Sequence, residues 1–304
     1  MTILAALIAQ LVHIALTIAA APTLVGLLRW GEARLAGRAG PPVLQPWHDL
    51  ARLVRKRAGR VEAASIVTGV ALPARLAALG VAASLVPSFT LGMAFSPAAD
   101  LLMIAGLLAI ARAATAVAAM DAGAASGGMA ASRVMLLACA AEPALLLVML
   151  VLGLQAGSLN VDLIAAMQAE NGGDWRAGAV TALAAVLLVV PVDTMRHDGL
   201  VLDLAGPDLA VAGFADALRV LLWCNLVGAL FLPFGMAASG ASPAAWFAGG
   251  ACWLVRTLVM AAALVALHTL VGRIPHARAA AMLGVAALLG LLAAAFLFAE
   301  TRTA

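Results

Sequence analysis

The sequence predicts an all-α integral membrane protein of about eight transmembrane helices, with N- and C-termini on the outer side. Three observations carry this. Hydrophobic residues make up 65% of the chain and charged residues 11%, with a mean hydropathy of +1.08. A soluble domain has roughly 45–50% apolar and about 25% charged residues. No water-soluble core of 304 residues buries that much apolar surface, so lipid is the solvent. The apolar runs are also long and continuous rather than alternating, which excludes a β-barrel. Finally, eight of the 18 Lys and Arg residues lie between Arg29 and Arg60, an asymmetry that fixes orientation rather than a nucleic-acid patch.

A span needs about 20 predominantly apolar residues, and eight runs qualify: 2–28, 66–94, 98–120, 134–156, 177–195, 218–238, 246–271 and 279–299. The first has no charged leader and no cleavage box, so it reads as a span, not a signal peptide. The second and third are nearly fused, separated by a turn at Pro87, Ser96 and Pro97. Frequent Ala and Gly let the helix backbones approach closely. The basic loop 29–65 is assigned to the cytoplasm. Parity then places 121–133, 196–217 and 272–278 there too. The acidic loop 157–176, with Asp162, Glu170 and Asp174 against Arg176, falls outside. The whole chain, 1–304, reads as one polytopic membrane domain with no internal repeat, which argues against a stand-alone transporter built from repeated halves.

Ionisable groups inside spans are costly, roughly 2.5–3.5 kcal/mol at the helix centre, and so need a partner, a water cavity or a task. The candidates are His13, Arg75, Arg112, Glu142, Arg256 and His268. Glu142 precedes Pro143, which cannot bond the carbonyl of Cys139. A freed carbonyl beside a carboxyl makes a polar break, where burial is expected to raise the carboxyl pKa and make it switchable. Proton handling and a neutral or Arg-paired structural role both remain open for it. Arg112 and Arg256 are possible counter-charges or packing devices. His13 and His268 read as satisfied interior histidines or as ligands. Arg75 follows Pro73 and is expected near a span end, snorkelling. Cys139, Cys224 and Cys252 lack metal-site spacing and read as small packing residues.

Two cytoplasmic loops stand out. In the first, Gly40-Pro41-Pro42 forces a turn, and residues 47–57 alternate Leu50, Leu53 and Val54 with Arg52, Arg55, Lys56 and Arg57. That is a short amphipathic helix suited to anionic lipid or to a docked partner. The second, 196–217, holds Asp198, Asp203, Asp208 and Asp216 with His197. Its mixed apolar residues point to a buried acidic patch or, alternatively, a solvated loop.

Four segments carry a family resemblance: LQPWHDLARLVRK (44–56), AAMDAGAASGGMAASR (118–133), AEPALLLVML (141–150) and HDGLVLDLAGPDLA (197–210), continued by NLVGALFLPFG (225–235). Together they resemble the membrane subunit of NiFe hydrogenases of the formate hydrogenlyase and energy-converting type. The homologue of that protein in respiratory complex I is the membrane subunit lying under the peripheral arm. The likeness spans roughly residues 30–240. The short Gly-Pro-Pro turn is closer to the hydrogenase branch. The resemblance implies a membrane-anchoring, ion-translocating subunit that couples electron transfer to proton or sodium movement and performs no bond-breaking chemistry itself. Quinone-site and passive-anchor roles are the alternatives. By motif match it implies Glu142, Asp198 and Asp203 for the ion path and Gln45, Asp49 and Arg133 for peripheral-arm docking; His197, Arg112, Arg256 and His268 join the path candidates, and Pro46, Asp121 and Asp208 the docking candidates. It places NiFe and iron–sulfur clusters in partner subunits and none in this chain. The implied partners are a hydrogenase-like large subunit, a cluster-bearing small subunit and antiporter-like membrane subunits, in the inner (cytoplasmic) membrane of a bacterium or archaeon. Three departures are visible. The family's Ser-Arg-Glu reads Ser132-Arg133-Val134, its loop glutamates read Asp198 and Asp203, and a glutamate of the seventh span reads His268.

Overall fold

The computed structural model describes residues 2–57, 59–60, 64–170, 177–194, 203–271 and 276–303. Among them are eight apolar helices: α1 (Thr2–Leu35), α3 (Ile66–Leu85), α4 (Leu101–Asp121), α5 (Ala125–Ala156), α7 (Ala177–Thr194), α8 (Pro207–Phe231), α9 (Pro243–Val271) and α10 (His276–Thr303). Seven are long and apolar enough to cross a membrane, and α7 is the shorter eighth. Two short helices, α2 (Gln45–Val54) and α6 (Val161–Glu170), lie between them. The protein is therefore the all-helical membrane protein its composition predicts.

Boundaries differ from the apolar runs where local backbone chemistry intervenes. The run 66–94 stops being helical at Leu85, because Val86 is extended (φ −78°, ψ 120°). Val86 precedes Pro87, and a residue before proline is driven out of the helical region. The loop expected over 121–133 shrinks to a turn of three residues, with Gly123 at φ 67°, and α5 starts at Ala125. Arg133 is thus helical. The loop expected over 196–217 also ends early. Gly206 (φ 60°) breaks the chain direction and Pro207 starts α8, a favoured first helical residue. Asp208 and Asp216 consequently sit on α8, not in a loop.

At its core the bundle holds α8, whose residues from Ala217 to Phe231 are almost all buried, among them Trp223, Leu221 and Leu222. Helices α1, α3, α7 and α9 contact it, while α10 packs on α5 and α7, and α4 on α3 and α5. Helix α1 is about 50 Å long at ~1.5 Å per residue, longer than the ~30 Å hydrocarbon core. Its last turns therefore project on the side assigned to the cytoplasm.

Short backbone pairings knit the loops on each side. At one end of the bundle β1 (Gly59–Arg60) pairs antiparallel with β3 (Leu204–Ala205), joining the basic loop to the acidic one. At the other end β2 (Thr90–Leu91) pairs parallel with β4 (Ala237–Ala238). Nearby, Asp162 at the start of α6 accepts from the Gly92 N–H (2.7 Å) and the Ser96 hydroxyl. Burial pushes the Asp162 carboxyl above its usual range, against the pull of those two bonds. The amphipathic helix expected in the first loop is α2. It lies against α1 at Gly26, where any side chain would run into the Val43 carbonyl.

Candidate functional site

Among the described residues, charged side chains within the bundle gather in three groups. The first joins α3 to α8. Arg75 lies nine residues inside α3, is 3% exposed, and pairs with Asp216 of α8. It is not at a span end and does not snorkel as its sequence suggests. Asp216 also accepts from Arg219 one turn on, at 3.0 Å. Two cations thus converge on one carboxylate, and helix α8 supplies both Asp216 and Arg219 because they stand three residues apart on one face.

The second group joins α4, α7 and α8. Arg112 Nη1 lies 3.3 Å from Asp193 Oδ1, with side chains 5% and 8% exposed. The other oxygen, Oδ2, accepts from the indole N–H of Trp223 at 2.7 Å. The counter-charge to Arg112 is therefore Asp193, not Glu142. A cavity of about 20 Å3 lies between Arg112, Asp193 and Arg219, closed by Val134, Leu137, Ala138, Ala141 and Val192. That is room for one water. Arg112 Nε and Arg219 Nε are buried beside it without an acceptor among the described residues. The cavity thus bridges the first group to the second, and Val134 is part of its wall.

The third group joins α1, α7 and α9. His268 Nδ1 is 3.0 Å from Glu32 Oε1, and His268 Nε2 is 3.0 Å from the Thr194 hydroxyl. The same hydroxyl is 2.7 Å from the Val190 carbonyl. Two proton arrangements satisfy these heavy atoms. With neutral His268, Nδ1–H donates to Glu32 and the Thr194 O–H donates to Nε2. With His268 protonated, Nε2–H donates to Thr194, whose hydroxyl hydrogen turns to Val190. The two states differ by one proton and one hydroxyl rotation, with no movement of the backbone. Thr194 follows Asp193 directly on α7, so the same helix turn carries both groups, although neighbouring helical side chains do not face each other.

Other expected site residues fall elsewhere. Arg256 is 3% exposed and meets no carboxylate among the described residues. It donates to the carbonyls of Leu232 (3.3 Å) and Ser88, just past the ends of α8 and α3, where helix dipoles are negative. His13 is fully buried and bonded to Ser88 Oγ (2.7 Å) and the Ala83 carbonyl (3.0 Å), a satisfied interior histidine. Glu142 is exposed on the outward side of α5, so the burial expected for it is absent. Cys139, one turn away, is exposed as well. Asp203 is half-buried in the turn before β3. His197 and Asp198 lie outside the described residues.

Among the docking candidates, Pro46 is buried against α1, and Asp49 accepts from Gln45 (3.1 Å) and Arg52 (3.2 Å) along α2. Asp121 is committed internally. It accepts from the backbone N–H of Ser65 (2.9 Å) and Thr68 (3.1 Å) and from both their hydroxyls, closing the start of α3. Arg133 is exposed in the third turn of α5, and Asp208 sits in the first turn of α8.

Asp193 and Glu32 are the site residues that sequence reasoning missed. Asp193 had a signal, an acid two residues after Pro191 inside an apolar run. Glu32 was masked by the basic loop around it.

Comparison with known proteins gives four matches. The NADH dehydrogenase family matches residues 7–299. Hydrogenase-4 component C of Escherichia coli (strain K12) is 28% identical over 230 residues, 71% of this chain and 72% of that protein. Formate hydrogenlyase subunit 4 of the same organism is 33% identical over 143 residues, 47% of each. The fold matches a chain of the membrane-bound sulfane sulfur reductase, an archaeal respiratory membrane complex. There the TM-score is 0.79 at 19% identity, covering 94% of this chain and 98% of that one.

Proposed function

The chain belongs to the NADH dehydrogenase family, and we propose on that premise that it is the membrane subunit of a hydrogenase-type oxidoreductase complex in a prokaryotic inner membrane. In this reading it seats a peripheral arm holding the NiFe and iron–sulfur centres and carries protons toward antiporter-like neighbours. The sequence kinship to a hydrogenase component and a formate hydrogenlyase component of Escherichia coli supports the complex type. The docking surface is α2 with Gln45 and Asp49, seated on α1 through the buried Pro46, together with Arg133 and Asp208.

One observation carries the proton reading: the Glu32–His268–Thr194 group satisfies its bonds both with and without an added proton. From there the path leads by way of Asp193 and a water in the neighbouring cavity toward Asp216, while Arg219 and Arg75 keep their protons and hold the Asp216 carboxylate. By the family resemblance, His197, Asp198 and Asp203 are the loop residues assigned to its entry. A charge change in the docked arm shifts the affinity of these groups for protons, as nearby charge must, and the shift drives uptake and release. Arg112 holds Asp193 in place. Arg256 sets the ends of two helices and does not itself carry the ion.

The test is the intact complex reconstituted in vesicles, with redox turnover and lumenal pH followed together. His268→Gln is expected to lower protons moved per electron several-fold while electron transfer continues. An unchanged ratio leaves the passive-anchor role in its place. Co-purification of a hydrogenase large subunit with the tagged chain tests the complex itself, and a NADH-oxidising module in its place favours the quinone role.

A further inference from the structure

Glu142 stands on a stripe of α5 that the described residues leave uncovered. Leu136, Cys139, Glu142, Leu146, Leu150 and Leu154 recur at three- and four-residue spacing, and all are exposed. The other sides of α5 are occupied by α4, α7 and α10. Depth gives the stripe its meaning. Between Arg133 and Gln155 the sole side chain with formal charge at neutral pH is Glu142. It lies nine residues, about 13 Å of helix rise, beyond Arg133, which puts it near the bilayer centre. Among the described residues it makes no hydrogen bond or ion pair. A carboxylate at that depth facing acyl chains is strongly disfavoured, so something other than lipid covers it.

We infer that the outward face of α5 around Glu142 is the contact for a transmembrane helix of a neighbouring subunit, which presents an Arg, Lys or His side chain at the depth of Glu142. The inference rests on the complex proposed above and locates one of its internal interfaces. Charge complementarity selects this occupant. A second copy of this chain about a two-fold axis brings two Glu142 carboxyls together, and like charges in low dielectric repel. A purely apolar helix leaves the carboxyl unpaired. The relatives are components of multisubunit enzymes by their names, so a foreign membrane helix is at hand.

The experiment uses the complete complex in native membranes, with photoreactive benzoylphenylalanine replacing Leu146 on the stripe or Leu288 on the exposed side of α10. Irradiation is expected to join position 146, and not 288, to one membrane-embedded subunit identified by mass spectrometry. Glu142→Leu should reduce recovery of that subunit after detergent extraction by roughly threefold to tenfold, the range expected for one interhelical polar contact. Glu142→Gln should keep part of it, and the peripheral subunits should be recovered as before. Adducts with lipid alone, adducts with a second copy of this chain, or full recovery in Glu142→Leu would overturn the inference while the complex stands. If the wild-type chain purifies without any membrane partner, the complex and the inference both fall.

Discussion

Asp193 serves two helices at once: Oδ1 is 3.3 Å from Arg112 on α4, and Oδ2 takes the indole N–H of Trp223 on α8 at 2.7 Å. Each oxygen therefore fixes a different neighbour to α7, and the charge of Arg112 is balanced where water is scarce. Removing one member of a buried pair leaves the other uncompensated, which costs about 3–5 kcal/mol, far more than the pair itself contributes.

Asp193→Ala should accordingly destabilise the bundle by about 3–5 kcal/mol, and Arg112→Leu by a comparable amount. The double variant should recover much of the loss, because residues in one network couple by about 0.5–3 kcal/mol. Thermal midpoints of the detergent-solubilised complex measure this. Additive losses would show that the two side chains act independently.

Val134→Glu places a second carboxyl in the cavity beside Arg112 and Arg219. The family pattern has Glu at this place, and two arginine Nε atoms there lack an acceptor among the described residues. The variant is expected to gain about 1–2 kcal/mol over the isosteric Val134→Gln, as charge-assisted bonds do. A midpoint no higher for Glu than for Gln would show that the arginines are already satisfied.

Asp162 gives a pH dependence of definite sign. Burial raises its carboxyl above the ordinary value of 3.8, so the folded outer face prefers the protonated form. Its contribution to stability is full below the unfolded pKa and is lost as pH rises through the folded one. Asp162→Asn keeps an acceptor for Gly92 and Ser96 without the charge. The variant should match or exceed the wild type at pH 7, with the difference closing as the medium is acidified. A wild type that holds a constant lead over Asn at every pH contradicts this.

Gly26→Leu tests the seat of α2. The added side chain collides with the Val43 carbonyl and pushes the Gln45–Pro46–Asp49 turn off α1. The chain should still insert, since the span keeps its apolar length. Peripheral subunits should be lost from the purified complex by an order of magnitude or more, roughly 1.4 kcal/mol for each tenfold. Normal recovery of those subunits would separate α2 from docking.

Whatever a solvent preference or a local backbone rule decides was legible in the order of residues. Lipid forces each long apolar run into a helix, so eight runs became eight helices. The amphipathic spacing of Leu50 and Leu53 with Arg52 and Arg55 became α2, and Gly206-Pro207 carried the start of α8, though the apolar count set it later. The pairing of the buried charges came from packing alone. Hydropathy reports how costly Arg75, Arg112 or Glu142 is inside a membrane but not which way each points, because direction depends on helix rotation and on neighbours distant in the chain. Arg75 found Asp216 across 141 positions and His268 found Glu32 across 236. Glu142, with the strongest local signal of all, turned outward. The covering of α5 by α4, α7 and α10 stops one stripe short, and only the packing of the bundle fixes where that stripe lies.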